Sequence, residues 1–256
     1  MQNNTFSGLF VGQNLIRLKE VDSTNTFLRD ALSKSTPFLE GTVILAEKQF
    51  AGRGQSGNTW QSEAGKNLTF SILLSPSFLQ VDQQFELNKA ISLALNDVLS
   101  RYFNESAAIK WPNDLYIHHQ KIGGMLIENI VQGNRIKHAI VGIGLNVNQS
   151  QFPDNLKNIS SFRQELHQDY DLMVILNEIC SSVEARYLQL RSGAFDKLNQ
   201  EYLNKLYLIH RWSLFKFDNR IESGKITGVN PVGQLVLETT EGQRLFNNKE
   251  IEFIHS

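Results

Sequence analysis

The chain has 256 residues, of which 41% are hydrophobic and 20% are charged. Both values are close to the globular average, so they exclude a disordered or collagen-like chain and favour one or two domains. The 25 Lys and Arg residues nearly balance the 26 Asp and Glu residues. This balance argues against a dedicated nucleic-acid binder, because binding to phosphates requires a surplus of positive charge.

The cysteine content and the apolar runs also restrict the class of protein. The single cysteine, Cys180, cannot form an internal disulfide, which suits a reducing compartment. The longest apolar runs are far too short to span a bilayer, and the N-terminus lacks the basic start and apolar stretch of a signal peptide. The sequence therefore predicts a cytoplasmic protein with neither a membrane nor a nucleic acid as partner.

The first half of the chain alternates between helical and extended patterns. Short polar residues at 22–25 are good N-caps, and the apolar spacing that follows them predicts a helix up to residue 32. Strands are predicted at 41–46 and 67–75. The polar, glycine-rich segment between these strands, residues 51–65, is predicted to be a loop and is called the glycine loop below. Apolar residues at helical spacing predict an amphipathic helix over 87–102.

The second half begins with a run of strands and ends in a small all-β unit. Strands are predicted at 107–111, 115–117, 125–131 and 136–143, with hairpin turns at 118–120 and 132–134. Helices are predicted at 172–187 and 195–208. Short strands follow at 213–217, 225–229, 234–238 and 250–254, a pattern typical of a small barrel. A domain boundary near Leu208 therefore divides the chain into residues 1–208 and 209–256.

The glycine loop contains the pattern G-x-G-x-x-G at residues 52–57. A dinucleotide-binding site of this pattern requires a helix that begins at the loop, so that the helix N-terminus can hold pyrophosphate. Residues 58–66 have no helical apolar period and lead into a strand, which disfavours that interpretation. A simple hairpin loop is one alternative. The other is an anion site, because Arg53 between two glycines combines a guanidinium with accessible backbone amides.

Three further motifs combine charged or small residues with strand ends. Lys110 precedes a Trp-Pro-Asn-Asp turn; it is either a structural strand end or an ammonium fixed where open sheets bind ligands. Gly123 and Gly124 follow Lys121, and they predict a bulge or a floor beneath a flat ligand. Residues 142–148 again place small residues at a strand end.

Other catalytic patterns are missing from the sequence. His118 and His119 read as a turn tip, and no zinc spacing is present. Cys180 lies on the apolar face of a predicted helix, which indicates a buried and inert thiol. The sequence has neither a nucleophile elbow nor a Walker loop. Groups that hold anions, without a covalent nucleophile, suit an adenylation in which the bound reactants form the bond.

Together and in this order, the motifs closely resemble biotin protein ligase. The resemblance covers most of residues 15–150 and rests on five stretches: Asp22-Ser23-Thr24-Asn25, residues 46–54 with Trp60, residues 110–115, residues 121–128, and residues 142–148. It implies an α+β fold in which a mixed β-sheet flanked by helices precedes a small SH3-like β-barrel.

The resemblance also implies a two-step reaction. Biotin and Mg²⁺-ATP would first form biotinoyl-5′-AMP and pyrophosphate. A lysine on the biotin carboxyl carrier domain of a carboxylase would then attack the mixed anhydride and release AMP. Biotin, ATP, Mg²⁺ and the carrier domain are therefore the expected substrates and partners, and the protein is expected to be a monomer or a weak homodimer.

The family's site residues are assigned by motif. Arg53 and Lys110 are the expected catalytic residues, with no protein metal site. Biotin has a ureido ring with one carbonyl and two N–H groups. Hydroxyl and amide side chains, such as those of Thr24, Asn25 and Gln49, can both donate to and accept from such a ring. The expected biotin contacts are Ser23, Thr24, Asn25, Gln49, Gly52, Arg53, Gly54, Lys110, Gly123 and Gly124. The expected contacts to ATP or the adenylate are Gln55, Trp60, Asn113, Lys121 and Asn146.

Two features depart from the best-known members of this family. Gln55 stands where they carry a second arginine, which is tied to adenylate retention; we expect Gln55 to hold the loop shut through hydrogen bonds instead. Only 22 residues precede Ser23, against roughly 60 needed for a winged helix, so a monofunctional ligase is expected. The alternatives are a lipoate ligase or octanoyl transferase, and a non-catalytic biotin sensor.

Overall fold

The computed structural model describes residues 8–34, 36–154 and 156–254. A large sheet and a small sheet follow each other along the chain. The strands of the large sheet are β1 Leu15–Val21, β2 Val43–Gln49, β3 Leu68–Leu74, β4 Ala107–Lys110, β5 Asp114–Ile117, β6 Gln120–Gln132 and β7 Arg135–Leu145. The α-helices are α1 Thr24–Ser33, α2 Gln84–Phe103, α3 Phe162–Leu166, α4 Leu172–Arg191 and α5 Phe195–Asn204. The strands of the small sheet are β8 Trp212–Phe217, β9 Arg220–Val229, β10 Leu235–Thr239, β11 Gly242–Phe246 and β12 Glu252–Phe253.

The large sheet is mixed, as predicted. Its seven strands have the order β1-β2-β3-β7-β6-β5-β4. β1 and β2 are parallel, whereas the other neighbouring strands are antiparallel. The small sheet is antiparallel, with the order β11-β10-β9-β8-β12. The predicted fold class, a mixed sheet flanked by helices and followed by a small β unit, is confirmed.

Helices cover both faces of the large sheet. Successive strand residues point to opposite faces, and the buried clusters separate accordingly. Ile44 and Leu73 pack with Leu28 of α1 on one face. Val43 and Ile72, their neighbours in sequence, belong to the core cluster that contains the buried residues of α2 and α4. Both strands therefore bury two faces, which explains why their sequences are continuous apolar runs rather than alternating ones.

Several predicted bounds differ from the structure. The helix predicted over 195–208 ends at Asn204, because Leu206 forms a β-bridge to Ile109 and the Tyr207 N–H donates to the Ile109 carbonyl at 2.8 Å. This pairing covers part of the edge strand β4. The strands β1 and β11 and the short helix α3 were not predicted. The proposed boundary at Leu208 lies between α5 and β8, and it stays a prediction.

The N-terminal segment is fastened to α4 by one buried carboxylate. Glu184 accepts hydrogen bonds from the backbone N–H groups of Leu9, Phe10 and Val11, at 2.7, 2.7 and 2.9 Å. Hydrogen bonds to a charged group contribute about 1.5–3 kcal/mol, and their loss leaves buried donors unsatisfied.

We expect Glu184→Ala to lower the free energy of unfolding by roughly 2–3 kcal/mol in chemical denaturation. Glu105→Ala is the control, since the Glu105 side chain is almost fully exposed and should change stability by less than about 0.5 kcal/mol. Equal stability of the two variants would contradict this role.

None of the helices in the described part of the chain is both long enough and apolar enough to cross a membrane.

Candidate active site

A cavity of about 610 Å³ lies between the glycine loop, the start of α1, the strands β6 and β7, and the small sheet. It brings together most of the residues that the sequence predicts for the site. The predicted residues that line it are Ser23, Thr24, Asn25, Gln49, Arg53, Gly54, Gln55, Trp60, Lys110, Asn113, Lys121 and Gly124.

Three predicted residues lie outside the cavity wall. Gly52 has no room for a side chain, because a Cβ there would lie 2.4 Å from the Trp60 carbonyl oxygen. Gly123 faces Gly144 and leucine side chains within the sheet. Asn146 is buried, and its Nδ2 donates to the Ser160 carbonyl at 3.0 Å, whereas its Oδ1 has no hydrogen-bond partner among the described residues. The positions of these residues indicate support of the wall rather than direct contact with a ligand.

The glycine loop forms a hairpin over residues 52–60, called the glycine hairpin below. Arg53 and Thr59 form an antiparallel bridge, and the Gly54 N–H donates to the Asn58 carbonyl at 2.7 Å. A single 3₁₀ turn, Gln55–Gly57, makes the tip, and the chain then continues into β3. Because the hairpin leads into a strand and not into an α-helix, the dinucleotide-binding interpretation is wrong here.

The floor of the cavity is a connected polar network. Gln49 Oε1 accepts from the Thr24 backbone N–H at 2.8 Å and from the Thr24 hydroxyl at 3.1 Å. The Ser71 hydroxyl lies 2.6 Å from both the Thr24 hydroxyl and Asn25 Oδ1. The sequence predicted a helix cap from Ser23 and its neighbours, but Ser23 makes no side-chain capping bond. Thr24 and Asn25, the first residues of α1, instead hold their polar groups toward the cavity.

Glu128 fixes two of the predicted site residues. Its carboxylate accepts from Arg53 Nη2 at 2.9 Å, from Arg53 Nη1 at 3.2 Å and from Asn25 Nδ2 at 2.8 Å. Arg29 also donates to it, at 3.0 Å. A bidentate guanidinium–carboxylate pair fixes the orientation of both groups. The last residue of the predicted motif at 121–128 therefore positions Arg53, a role that the sequence analysis did not assign.

Two glycines of β7 leave room for side chains of the site. A Cβ on Gly142 would lie 2.3 Å from Asn25 Oδ1, and a Cβ on Gly144 would lie 2.4 Å from the Trp60 ring. The Trp60 indole therefore packs directly on Gly144 of β7. Of the two alternatives for Gly123 and Gly124, a bulge lies next to them: Leu115 pairs with Gly123 and Tyr116 with Lys121, so the extra residue is Ile122.

Lys110 is held between two aromatic rings. Its Nζ donates to the Tyr116 hydroxyl at 2.9 Å, and it lies 4.7 Å and 4.9 Å from the ring centroids of Tyr116 and Phe253. Burial lowers the pKa of Lys110, and nearby Lys121 acts in the same direction, whereas Asp114 opposes the shift. The ammonium is therefore poorly hydrated, so its interaction with an anion in the cavity is stronger than it would be in water.

Lys121 and Asn113 have structural partners at the cavity wall. Lys121 forms an ion pair with Asp114 at 2.6 Å. Asn113 Nδ2 donates to the Met125 carbonyl at 2.6 Å, which fixes the turn between β4 and β5 against β6. Both side chains line the cavity, but each already makes a protein contact.

Comparison with known proteins identifies the family. The Biotin/lipoate A/B protein ligase family model matches residues 18–146. The chain belongs to this family. The resemblance to biotin protein ligase that the motifs predicted is therefore confirmed.

Two curated relatives and one solved structure match this ligase-family protein over more than nine tenths of its length. A bifunctional ligase/repressor BirA of Bacillus subtilis is 31% identical over 94% of this chain and 74% of its own. A biotin–[acetyl-CoA-carboxylase] ligase of Paracoccus denitrificans is 28% identical over 92% of this chain and 99% of its own. Among solved structures, the biotin protein ligase of Aquifex aeolicus in complex with biotin and ATP aligns with a TM-score of 0.78 at 27% identity, covering 95% of this chain and 99% of that one.

The small sheet of this ligase-family protein supplies a wall of the cavity that the sequence analysis missed. The contributing residues are Asn248, Lys249, Ile251, Glu252 and Phe253. They carry no recognisable motif, and their position depends on how the small sheet docks on the large one. The Trp111 Nε1 donates to the Gly233 carbonyl at 2.9 Å across this contact. Lys157 and Asn158 line the cavity from the loop after β7.

The lowered pKa of Lys110 predicts a pH dependence. An ordinary lysine has a pKa of about 10.4, and Lys110 loses its proton at lower pH because burial disfavours the charged form. If the ligase activity requires the ammonium, kcat/KM for biotin falls as pH rises through this lowered value. In Lys110→Arg, the alkaline limb of the pH profile, where kcat/KM falls, should move to higher pH, since the guanidinium group stays protonated. An alkaline limb at the same pH in both proteins would contradict the assignment.

In the described ranges, 8–34, 36–154 and 156–254, no group of three or more His, Cys, Asp and Glu side chains is arranged to hold a metal ion.

Proposed function

We propose that this ligase-family protein activates biotin with ATP to form biotinoyl-5′-AMP and transfers the biotinoyl group to a lysine of a biotin carboxyl carrier domain. The observation that carries the proposal is the cavity in which a polar floor lies beside two cationic groups, Arg53 and Lys110. A ligand with a hydrogen-bonding head and an anionic tail fits this arrangement. The relatives named biotin ligases support the choice of biotin.

The polar floor is suited to the ureido ring. That ring presents one carbonyl acceptor and two N–H donors in a plane. Thr24, Asn25 and Gln49 offer both donors and acceptors, and Ser71 and the backbone N–H of Thr24 fix their orientation. Because these side chains are already hydrogen-bonded to each other, the site is preorganised and little entropy is lost when biotin binds.

Arg53 and Lys110 act on the anionic centre. In the first step a carboxylate oxygen of biotin attacks the α-phosphorus of ATP, a P–O bond forms, and the bond to pyrophosphate breaks. Both reacting groups are negatively charged, so their approach is unfavourable without cations. Lys110 stabilises the charge that develops on the phosphoryl oxygens, and Arg53 orients the carboxylate. In the second step the carrier lysine Nζ attacks the acyl carbon, AMP leaves, and an amide forms.

ATP enters this scheme as its Mg²⁺ complex. Mg²⁺ prefers oxygen ligands and binds through substrate phosphates with one or two carboxylates. No protein metal site is expected, so the ion would be held through the phosphate oxygens of ATP and water. Trp60 is proposed to cover the adenine or the biotin tail, and Gln55, Asn113 and Lys121 to contact the nucleotide, whereas Asn146 supports the wall from behind.

The most direct test measures the product. A carrier domain is incubated with the protein, biotin and Mg²⁺-ATP, and its intact mass is determined. We expect a gain of one biotinoyl group, which disappears when ATP is omitted or when the acceptor lysine of the carrier is replaced by arginine. An unchanged carrier mass together with no ATP-dependent pyrophosphate release would refute the proposal and favour a non-catalytic biotin sensor.

A lipoate ligase is the second candidate, because the family includes proteins that act on lipoate. Biotin differs from lipoate in its head group, since the dithiolane ring of lipoate cannot use the hydroxyl and amide groups of Thr24, Asn25 and Gln49. A ligand that binds only the folded protein raises its unfolding temperature. We expect biotin, but not lipoate at the same concentration, to raise it. A shift with lipoate alone would favour the second candidate.

A further inference from the structure

A hydrogen bond joins the tip of the glycine hairpin to the small sheet. Gln55 Oε1 accepts from Asn248 Nδ2 at 2.8 Å, and the two residues are 193 positions apart in the chain. Both residues line the cavity. The hairpin therefore spans from the large sheet, where Trp60 packs on Gly144, to the loop before β12.

The hairpin itself has little apolar surface to hold its tip in place. Gly54 precedes the tip and Gly57 is its last residue, with a φ of +86° and open space around its Cβ position. Glycine-rich segments lose more conformational entropy on ordering than other segments. A contact between side chains at the tip consequently has a large influence on the fraction of time for which the hairpin covers the cavity.

Covering of the cavity is important because the proposed intermediate, an acyl adenylate, is reactive. A mixed anhydride of a carboxylate and a phosphate reacts with water and with any accessible amine. Closure that excludes water and stray nucleophiles keeps such an intermediate intact. An opening of the hairpin before the carrier domain arrives lets the intermediate leave.

We propose that Asn248 is a positioning residue that fastens the tip of the glycine hairpin through Gln55, and that this fastening retains the acyl adenylate in the cavity. This proposal rests on the proposed function. It assigns to the small sheet a part in the first half-reaction, since Asn248 acts on the intermediate through Gln55 and not through direct contact with the reacting atoms.

The first experiment compares escape of the intermediate with its formation. The protein is incubated with biotin, Mg²⁺-ATP and albumin, and albumin labelling is divided by pyrophosphate release. A neutral hydrogen bond contributes about 0.5–1.5 kcal/mol, so Asn248→Ala should raise this ratio by about 2- to 13-fold. Gln55→Ala should raise it similarly, and the double variant should be no worse than Gln55→Ala. Gln243→Ala, an exposed position of the same sheet outside the cavity wall, is the control and should leave the ratio unchanged.

The second experiment measures how firmly the tip of the glycine hairpin is held when no substrate is present. Amide exchange at residues 52–60 should be faster in Asn248→Ala than in Gln243→Ala, whereas exchange in β3 should be equal. Equal exchange at 52–60 and an unchanged labelling ratio would overturn the proposal. So would additive effects in the double variant, because independent sites add.

The two experiments separate this proposal from the proposed function. If the unmutated protein releases no pyrophosphate from biotin and ATP, the proposed function fails. The amide-exchange comparison still shows whether Asn248 holds the tip of the hairpin in place. If Asn248→Ala does not fold, Gln55→Ala tests the same hydrogen bond from the other side.

Discussion

Replacement of Lys110 by alanine should lower the rate of pyrophosphate release from biotin and ATP by about a hundred- to a thousandfold. This corresponds to ~3–4 kcal/mol, the typical effect of removing one group that stabilises charge in a transition state. The ammonium is desolvated and fixed by Tyr116 and Phe253, so water cannot replace its charge effectively. Biotin affinity should fall much less, because the polar floor that holds the head group stays intact. Initial rates of pyrophosphate release and biotin binding by calorimetry measure the two quantities separately.

Two variants make this prediction specific. Lys19→Ala removes a lysine that is exposed and outside the cavity wall, so it should leave the rate unchanged. Tyr116→Phe keeps the ring beneath Lys110 but removes the 2.9 Å hydrogen bond, and its effect should be smaller than that of Lys110→Ala. A rate close to the unmutated one in Lys110→Ala would remove Lys110 from the catalytic residues.

Substitution of Gly144 by alanine should lower kcat/KM for biotin roughly 10- to 100-fold through a single added methyl group. The new Cβ would lie 2.4 Å from the Trp60 ring, at a position where no L-residue strain arises from φ. The indole must move, and overpacking of this kind costs about 1–3 kcal/mol. Because Trp60 is the large apolar residue of the glycine hairpin, its displacement also shifts Arg53. Steady-state kinetics with biotin as the varied substrate provides the measurement.

Gly228→Ala is the matched control for this substitution. Gly228 is also a strand glycine, but no atom lies within 4 Å of its Cβ position. It should therefore leave kcat/KM for biotin unchanged. Equal kinetics in the two alanine variants would show that the packing of Trp60 on Gly144 has no part in the site. A loss confined to thermal stability would assign the contact to folding alone.

The prediction of the fold from the sequence succeeded where local patterns match the tertiary environment. The apolar period around Leu87 and Ala94 predicted α2, although residues 89–96 are all buried, so more of the helix is covered than the one face that an amphipathic pattern predicts. It failed at β1, because the charged residues Lys19 and Glu20 interrupt the apolar pattern of this strand. It also failed at the end of α5, where Leu206 leaves the helix to pair with β4. Pairing across the sheet outweighs helix propensity there, and no local pattern records it.

The motifs by themselves determined which chemical groups the site contains. Arg53 between glycines, Lys110 at a strand end and the polar residues before the first helix indicated an anion site beside a hydrogen-bonding floor. Spacing along the chain is informative here because each of these groups lies within a single turn or strand end. Those residues line one cavity in the structure.

Only the tertiary structure determined what holds these groups and what closes over them. Glu128 orients Arg53 from 75 residues away, Ser71 of β3 contacts Thr24 and Asn25 of α1, and Asn248 reaches Gln55 from the loop before β12. Such contacts depend on strand order and on the docking of the two sheets. Because strand order arises from the burial of apolar faces over the whole chain, no short stretch of sequence encodes it.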